Sequence, residues 1–435
     1  MLDARSSTNT ASQRPLRSVA SLNASQRQWL ADLTALRQNA QSRFADVEWG
    51  PGLGQEATYA HKCVLYARAP GAFLRQYVEA GAGDAGDVGL LAPALDYFYT
   101  AEREAEAFTI LLDGFREDEP RDDDIDPEDQ DAAQKLRRDL MYCWRSKLFS
   151  DATLILECAP DVPIAVHRAV LASRSPYFRA LLLGEFSDSG RSSFALPSPP
   201  FTPASTTFVL SWMYGGTLDS ISRRFDLARG FEIWRCAEFL GADSLRDEVE
   251  SDLQNMLSDT RAPRIYSFAR APDVNCERLA RNAEDFIVQH FETTWTASPT
   301  VGEFSYTEQL GLVSKVAERV NVGNVVAMAV RVASGRRRLA NSVEPSSEHV
   351  SAMFDGLEDR FVKILATGLV DIVRSRAFGG LVEGFGFHGD VLEWLLGLVV
   401  RGLNERNAPS IYAVLHGDVL LREVCLSLSS RHSPS

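Results

Sequence analysis

The sequence predicts an α+β protein: two units in which a small sheet is capped by helices, followed by an all-α region. Three observations predict it. An ordered residue series around Asp151, His167, Arg168 and Pro176 recurs upstream around Asp46, His61, Lys62 and Pro70. Each series joins a strand-like run to two short helical runs. Beyond Leu257, apolar residues recur at helical spacing with no alternating run to mark a strand.

At 435 residues the chain is long enough for two to four domains. A formal charge of −14 and a pI near 5.1 argue against a nucleic-acid-binding face, which needs basic residues to displace counterions. Cys63, Cys143, Cys158, Cys236, Cys276 and Cys425 are far apart and none forms C-x-x-C. Neither a zinc site nor a secreted disulfide framework is indicated, and a reducing cytosol or nucleus fits. No run reaches the ~18 apolar residues of a membrane span; Val391 to Val400 is short and contains Glu393. The Ser/Arg-rich N-terminus lacks the apolar core of a secretory signal. Arg5, Arg14 and Arg17 would suit a mitochondrial presequence, but an unstructured tail is the simpler reading.

In chain order, residues 1–20 are polar and expected to be disordered. Residues 21–116 form the first unit. It opens with a helix whose face is Trp29, Leu30, Leu33 and Leu36, capped by Asn23 or Ser25. The strand-like run Arg43 to Trp49 follows. Residues 117–134 are an acidic linker that self-repulsion keeps extended. Residues 135–258 form the second unit. Leu136, Leu140, Met141, Trp144 and Leu148 mark its leading helix, and Asp151 opens its first strand. Ser175 is placed to cap the following helix by accepting from a free amide. Pro176 takes the first helical position, where its missing N–H costs nothing. Tyr177, Phe178, Leu181 and Leu182 supply that helix's apolar face.

The two units are an internal repeat. His61-Lys62 answers to His167-Arg168, Val64-Leu65 to Val170-Leu171, Arg68 to Arg174 and Pro70 to Pro176, all at one offset. Asp46 answers to Asp151 within one residue of it. The first copy is degenerate. Ala69 replaces the Ser cap, Gly71-Ala72 are expected to interrupt the helix start, and the Gly-rich stretch 80–86 replaces a structured connection. Leu95, Tyr97 and Tyr99 match Leu210, Trp212 and Tyr214, although Phe108 competes as the counterpart of Phe208.

The second copy resembles the BTB (POZ) domain, a protein-interaction fold of a small sheet capped by helices. The residues carrying the resemblance are Ser150, Asp151, His167, Arg168, Val170, Leu171, Ser175, Pro176, Tyr177 and Phe178, then Phe208, Leu210, Tyr214 and Gly215. It extends from about Leu148 to Leu257. Asp46, His61 and Pro70 carry the same signature in the first copy. The resemblance implies that the leading helix of each copy packs across a dimer interface, within the chain as a pseudo-dimer or between chains as a homodimer. Residues 259–340, with Asn282, Phe286, Ile287 and Phe291, resemble the BACK helical region that follows many BTB domains. Residues 341–435 are a further helical block with a short tail, of no assigned family.

Candidate chemistry is sparse. The stretches 81–86 and 384–389 satisfy G-x-G-x-x-G, but neither sits between a clear strand and a helix, so a loop is the simpler reading than dinucleotide binding. No Walker-type G-K-[ST] and no G-x-S-x-G occurs. His61 and His167 occupy a strand-to-helix corner, where Asp46 and Asp151 are expected to orient them; a structural role outweighs a catalytic or metal-ligating one. Arg336-Arg337-Arg338 reads as a solvated helix end rather than a nuclear signal. No enzyme, cofactor, metal or membrane role is expected.

The feature with functional character is Phe186-Ser187-Asp188, after the second helix of the second copy. BTB proteins that recruit a cullin scaffold carry a hydrophobic-x-acidic triplet there, so the resemblance implies a cullin contact. The alternative is a loop phenylalanine folded onto its own core. The expected function is a substrate-recognition adaptor of a cullin-3-type ubiquitin ligase, binding an unknown protein substrate in cytoplasm or nucleus. A BTB-mediated oligomeric scaffold in signalling or transcription, without a ubiquitin role, is the alternative.

Overall fold

The computed structural model describes residues 19–50, 57–79, 91–100, 132–184, 190–218, 225–341, 347–382 and 389–420. The chain divides into an N-terminal body, residues 1–255, and a C-terminal body, residues 256–435.

The first repeat of the N-terminal body contains α1 (Val19–Gln38), β1 (Val47–Trp49), β2 (Thr58–Ala60), α2 (Lys62–Arg68), α3 (Gly71–Phe73) and α4 (Leu91–Thr100). The second contains α5 (Ala132–Arg145), β3 (Ala152–Leu156), β4 (Ala159–Val166), α6 (Arg168–Arg174), α7 (Pro176–Leu183), β5 (Ser193–Leu196), α8 (Pro203–Gly215), α9 (Leu227–Leu240) and α10 (Asp243–Asn255). In the first, β1 and β2 form an antiparallel ribbon with Val47 opposite Ala60. In the second, β3 is central, antiparallel to β4 and parallel to β5. Ala152, Leu154 and Leu156 alternate inward along β3, the period-2 pattern of a half-buried strand.

Several local expectations are corrected. Helix α1 already includes Val19 and Ala20, so neither Asn23 nor Ser25 starts it, and the Ser25 hydroxyl instead donates to the Ser244 carbonyl at 3.3 Å. Likewise α5 begins inside the expected linker, at Ala132. Only Val47–Trp49 of the run Arg43 to Trp49 pairs as strand, because Phe44 takes φ +63° and breaks the extension. Gly71 and Ala72 begin a helix that runs into a π-turn over Leu74–Glu79 rather than interrupting one. Residues 1–18, Phe108, the linker residues 117–131, the stretch 81–86 and residues 421–435 lie outside the described residues.

Both repeats contribute to one hydrophobic core, which includes Trp29, Leu33, Leu36, Val64, Phe73, Phe98, Leu136, Leu140 and Ala169. The leading helices exchange partners. Helix α1 packs on α4 of its own repeat but also on α6 and α10 of the other; α5 packs on α8 of its own and on α2 and α4 of the other. Gly216 closes α8 in the left-handed region, φ +76°, and a Cβ there would lie 2.6 Å from the Trp29 ring. Only glycine serves both the turn and the indole.

The described part of the C-terminal body is helical: α11 (Ala262–Arg270), α12 (Glu277–Gln289), α13 (Phe291–Ala297), α14 (Tyr306–Arg319), α15 (Val325–Ala340), α16 (Ser347–Asp355), α17 (Glu358–Arg374), α18 (Arg376–Val382), α19 (Gly389–Arg401) and α20 (Ala408–Val414). Phe354 fills its core against Phe291 and Trp295 and leaves no room for a side chain at Gly335. Ser305 and Glu308 form a reciprocal capping box at the start of α14. Arg337 and Arg338 are exposed in the last turn of α15, whereas Arg336 is half-buried and bonds Asp355 at 2.7 Å and Glu358 at 2.9 Å over the Trp394 ring. Gly379 and Gly380 lie in α18, not in a strand, and residues 383–388 lie outside the described residues. Among the described residues no helix is long and apolar enough to cross a membrane.

Candidate interaction site

The geometry begins at the buried corner between β4 and α6. The His167 amide donates to the Tyr214 hydroxyl at 3.0 Å, and that hydroxyl lies 2.8 Å from Nδ1. Burial pushes the Tyr214 phenol well above its ordinary range, so it keeps its proton, and against the neutral imidazole it donates to Nδ1. Nε2 then carries the imidazole hydrogen and donates to the Leu148 carbonyl at 2.7 Å. The first repeat builds the same corner. The Tyr99 hydroxyl accepts from the His61 amide at 2.9 Å and lies 2.6 Å from Nδ1, while Nε2 lies 2.6 Å from the Arg43 carbonyl. Both rings therefore have both nitrogens occupied, which fits a structural role.

The aspartates do something other than orient the rings. Asp46 Oδ1 accepts from the Lys62 amide at 2.6 Å, and Asp151 Oδ1 from the Arg168 amide at 2.8 Å. Each satisfies a free N–H in the first turn of α2 or α6. The tyrosines hold the imidazoles, a role the sequence reading missed although it had aligned Tyr99 with Tyr214. The electrostatics of the corners differ. Burial lowers the His61 pKa. At His167 burial works the same way, but the Cys143 sulfur, the Leu148 carbonyl and Asp151 outweigh it and raise the pKa.

Ser175 caps α7 as expected, accepting from Phe178 N at 3.2 Å and donating to the Leu240 carbonyl at 2.7 Å. Pro176 is the first residue of α7 and Phe178 is buried. Pro70 instead precedes α3, with no side-chain cap. Arg168 lies over the Phe44 and Phe194 rings at 5.8 and 5.9 Å.

Phe186, Ser187 and Asp188 lie outside the described residues, between the end of α7 and the start of β5. The helix that precedes them in sequence is described. Pro176, Ala180 and Leu183 are exposed along α7. Tyr177 packs on Phe239 of α9 at 4.7 Å, and Phe239 on Phe201 at 5.3 Å. Leu183 is 38% and Phe239 37% exposed, so this part of the domain presents apolar, partly aromatic surface to solvent. Phe239 escaped the sequence reading because it lies off the face set by Phe231, Trp234, Ala237 and Leu240.

Residues 140–257 match the BTB/POZ domain. That BTB match contains the His167 corner, the capped helix α7, the triplet and this apolar surface, and begins after the first repeat has ended. The chain is also 31% identical to Kelch-like protein 21 of Bos taurus over 158 residues, 36% of this chain and 25% of that protein. The human Kelch-like protein 21 is 30% identical over the same shares. Kelch-like protein 38 of Rattus norvegicus is 26% identical over 176 residues, 40% of this chain and 28% of that protein. The chain thus spans about a quarter of the length of these relatives.

Proposed function

We propose that this chain is a non-enzymatic adaptor that binds proteins through its BTB surface, serving as the substrate-recognition subunit of a cullin-3-type ubiquitin ligase. The BTB match over residues 140–257 carries the reading. The exposed apolar surface of Leu183, Tyr177 and Phe239 supports it, because such surface in a chain that also carries an aromatic-x-acidic triplet suits a protein partner. Phe186 is the anchor, Asp188 fixes orientation, and Ser187 spaces them. The C-terminal body, with a BACK-like region over residues 259–340, or the first repeat recruits the substrate. The place of work is the cytoplasm or nucleus.

The first repeat is, in the same reading, a degenerate BTB unit and an intramolecular partner of the second. The recurring histidine corner and the exchanged leading helices support this. A tethered partner has a high effective concentration and outcompetes a second chain. The second reading is an oligomeric scaffold in signalling or transcription, without a ubiquitin role. It draws on the same apolar surface, which suits any protein partner.

Titration with the purified cullin N-terminal region separates the two. Phe186→Ala is expected to weaken binding by on the order of 2 kcal/mol, roughly thirtyfold, with little change in melting temperature. Asp188→Lys is expected to impair association while leaving the fold intact. A phenylalanine folded into its own core would instead cost about 3–5 kcal/mol of stability on truncation. Well-folded variants with unchanged cullin affinity would leave the scaffold as the better reading.

A further inference from the structure

Two buried thiols meet where the repeats join. Cys63 lies on α2 of the first repeat and Cys143 on α5 of the second; they are 6% and 1% exposed. Their Sγ atoms and a ring nitrogen of His167 all lie within 4.8 Å of one another. The pseudo-symmetric position shows that packing does not require sulfur. Leu36 follows Asp32 by the spacing at which Cys143 follows Asp139, and Ala169 follows His167 as Cys63 follows His61. All four belong to the same buried core. One corner is thus built with leucine and alanine and the other with two cysteines.

The third group of the cluster is not available as a ligand. His167 gives Nε2–H to the Leu148 carbonyl and receives the Tyr214 proton at Nδ1, so binding a metal would break one of these bonds. What remains is the chemistry of two adjacent sulfurs. They are differentiated: contact with Cys63 is the main influence holding the Cys143 thiol down at about 6, while Cys63 is pushed well above the usual thiol range. Such a pair offers one thiolate to attack and one thiol to resolve.

We propose that Cys63 and Cys143 are a reversible disulfide site, oxidised by hydrogen peroxide, that ties the first repeat to the leading helix of the second. The Cys143 thiolate attacks a peroxide oxygen, the O–O bond breaks, and the departing hydroxide takes up a proton as water. Cys143 is then a sulfenic acid. The Cys63 sulfur attacks it, the S–O bond breaks, and the Cys63 proton leaves with the hydroxide as a second water. The two sulfurs lose two electrons and the peroxide gains two. Both thiols are buried, so oxidation waits on local opening and is slower than at exposed Cys158. Once formed, the link closes the chain between residues 63 and 143 and restricts the unfolded state. In a reducing compartment it is transient.

The test uses the full chain treated with hydrogen peroxide, alkylated in denaturant and mapped by mass spectrometry without reduction. The expected product is a peptide pair linked through Cys63 and Cys143, dissolved by a reductant, with a higher melting temperature in the oxidised chain. Cys63→Ala, which reproduces the alanine of the twin corner, is expected to leave Cys143 trapped by a sulfenic-acid reagent and to abolish the thermal shift. Two outcomes overturn the proposal. In one, both residues are recovered as free thiols after peroxide has fully oxidised Cys158. In the other, the purified chain carries stoichiometric zinc that shields both thiols until a chelator removes it.

Discussion

Arg68 of α2 donates to Asp139 of α5 at 2.9 Å, joining the first repeat to the leading helix of the second. Arg174, its counterpart in α6, pairs in the same way with Asp32 of α1. The side chains of Arg68 and Arg174 are only 2% and 0% exposed. Each guanidinium also lies over an equivalent aromatic ring, Arg68 over Tyr97 at 5.3 Å and Arg174 over Trp212 at 3.8 Å. Burial lowers the pKa of both arginines and raises that of Asp139, despite the pairing. The pairs therefore contribute more to the register of the repeats than to net stability.

Breaking either pair leaves a charge buried without its partner. Asp32→Ala and Asp139→Ala are each expected to cost about 3 kcal/mol, the lower end for a buried pair because both acids retain some water contact. Replacing both partners together, as in Asp32→Leu with Arg174→Met, is expected to cost much less. Urea denaturation of the three variants measures this; single variants within about 0.5 kcal/mol of the parent, the usual range of an ordinary surface change, would show the pairs to be incidental.

Gly216 tests the seat of α1 on the second repeat. Gly216→Ala is expected to destabilise by about 2–4 kcal/mol, combining the left-handed backbone with overpacking against Trp29. On a Trp29→Ala background the steric part disappears and only about 1–2 kcal/mol should remain. An equal cost on both backgrounds would mean that the indole gives way freely.

Leu136 and Leu140 of α5 are buried in the core that both repeats share. Residues 132–258 expressed alone are therefore expected to self-associate or aggregate. Residues 1–255 are expected to be monomeric, since α1 and α5 already cover the other repeat. Sedimentation velocity decides it, and a stable monomer from the short fragment would refute the dependence.

The two histidine corners are expected to respond to acid in opposite senses. Burial holds His61 below its ordinary 6.5, with Asp46 and Asp151 opposing that shift and Arg37 adding to it. The unfolded chain then binds the proton more readily, so the His61 contribution is present above about pH 6.5 and falls as pH drops towards the lowered folded value. His167 is raised, so its contribution is present below that pH and is lost as pH rises through the raised folded value. Melting temperatures from pH 7.5 to 5.5 should fall less steeply in His61→Gln than in the parent, and more steeply in His167→Gln. Parallel profiles for all three chains would contradict the assignment.

Much of the second repeat was legible in the chain because local signals agree there. Ser175 before Pro176, followed by apolar residues at helical spacing, marks a capped helix, and the apolar spacing of α7, α9 and α10 fixes which faces turn inward. The recurrence of His61-Lys62 and His167-Arg168 was equally visible, since a repeat is a property of order in sequence. The triplet Phe186-Ser187-Asp188 was legible only as a resemblance.

Sequence alone determined the mixed class, the repeat and the helical C-terminal half, all of which rest on periodicity and spacing. Tertiary structure decided which groups meet. That Tyr99 and Tyr214 rather than the aspartates hold the imidazoles, that Asp32 serves Arg174 at a separation of 142 residues, and that Cys63 reaches Cys143 follow from how the repeats pack. Helical spacing marks Trp29 as buried but cannot say that Gly216 lies beneath it. The physical reason is that periodicity selects the face of an element within a turn or two, whereas its partner is chosen by shape, charge and burial summed over the whole core.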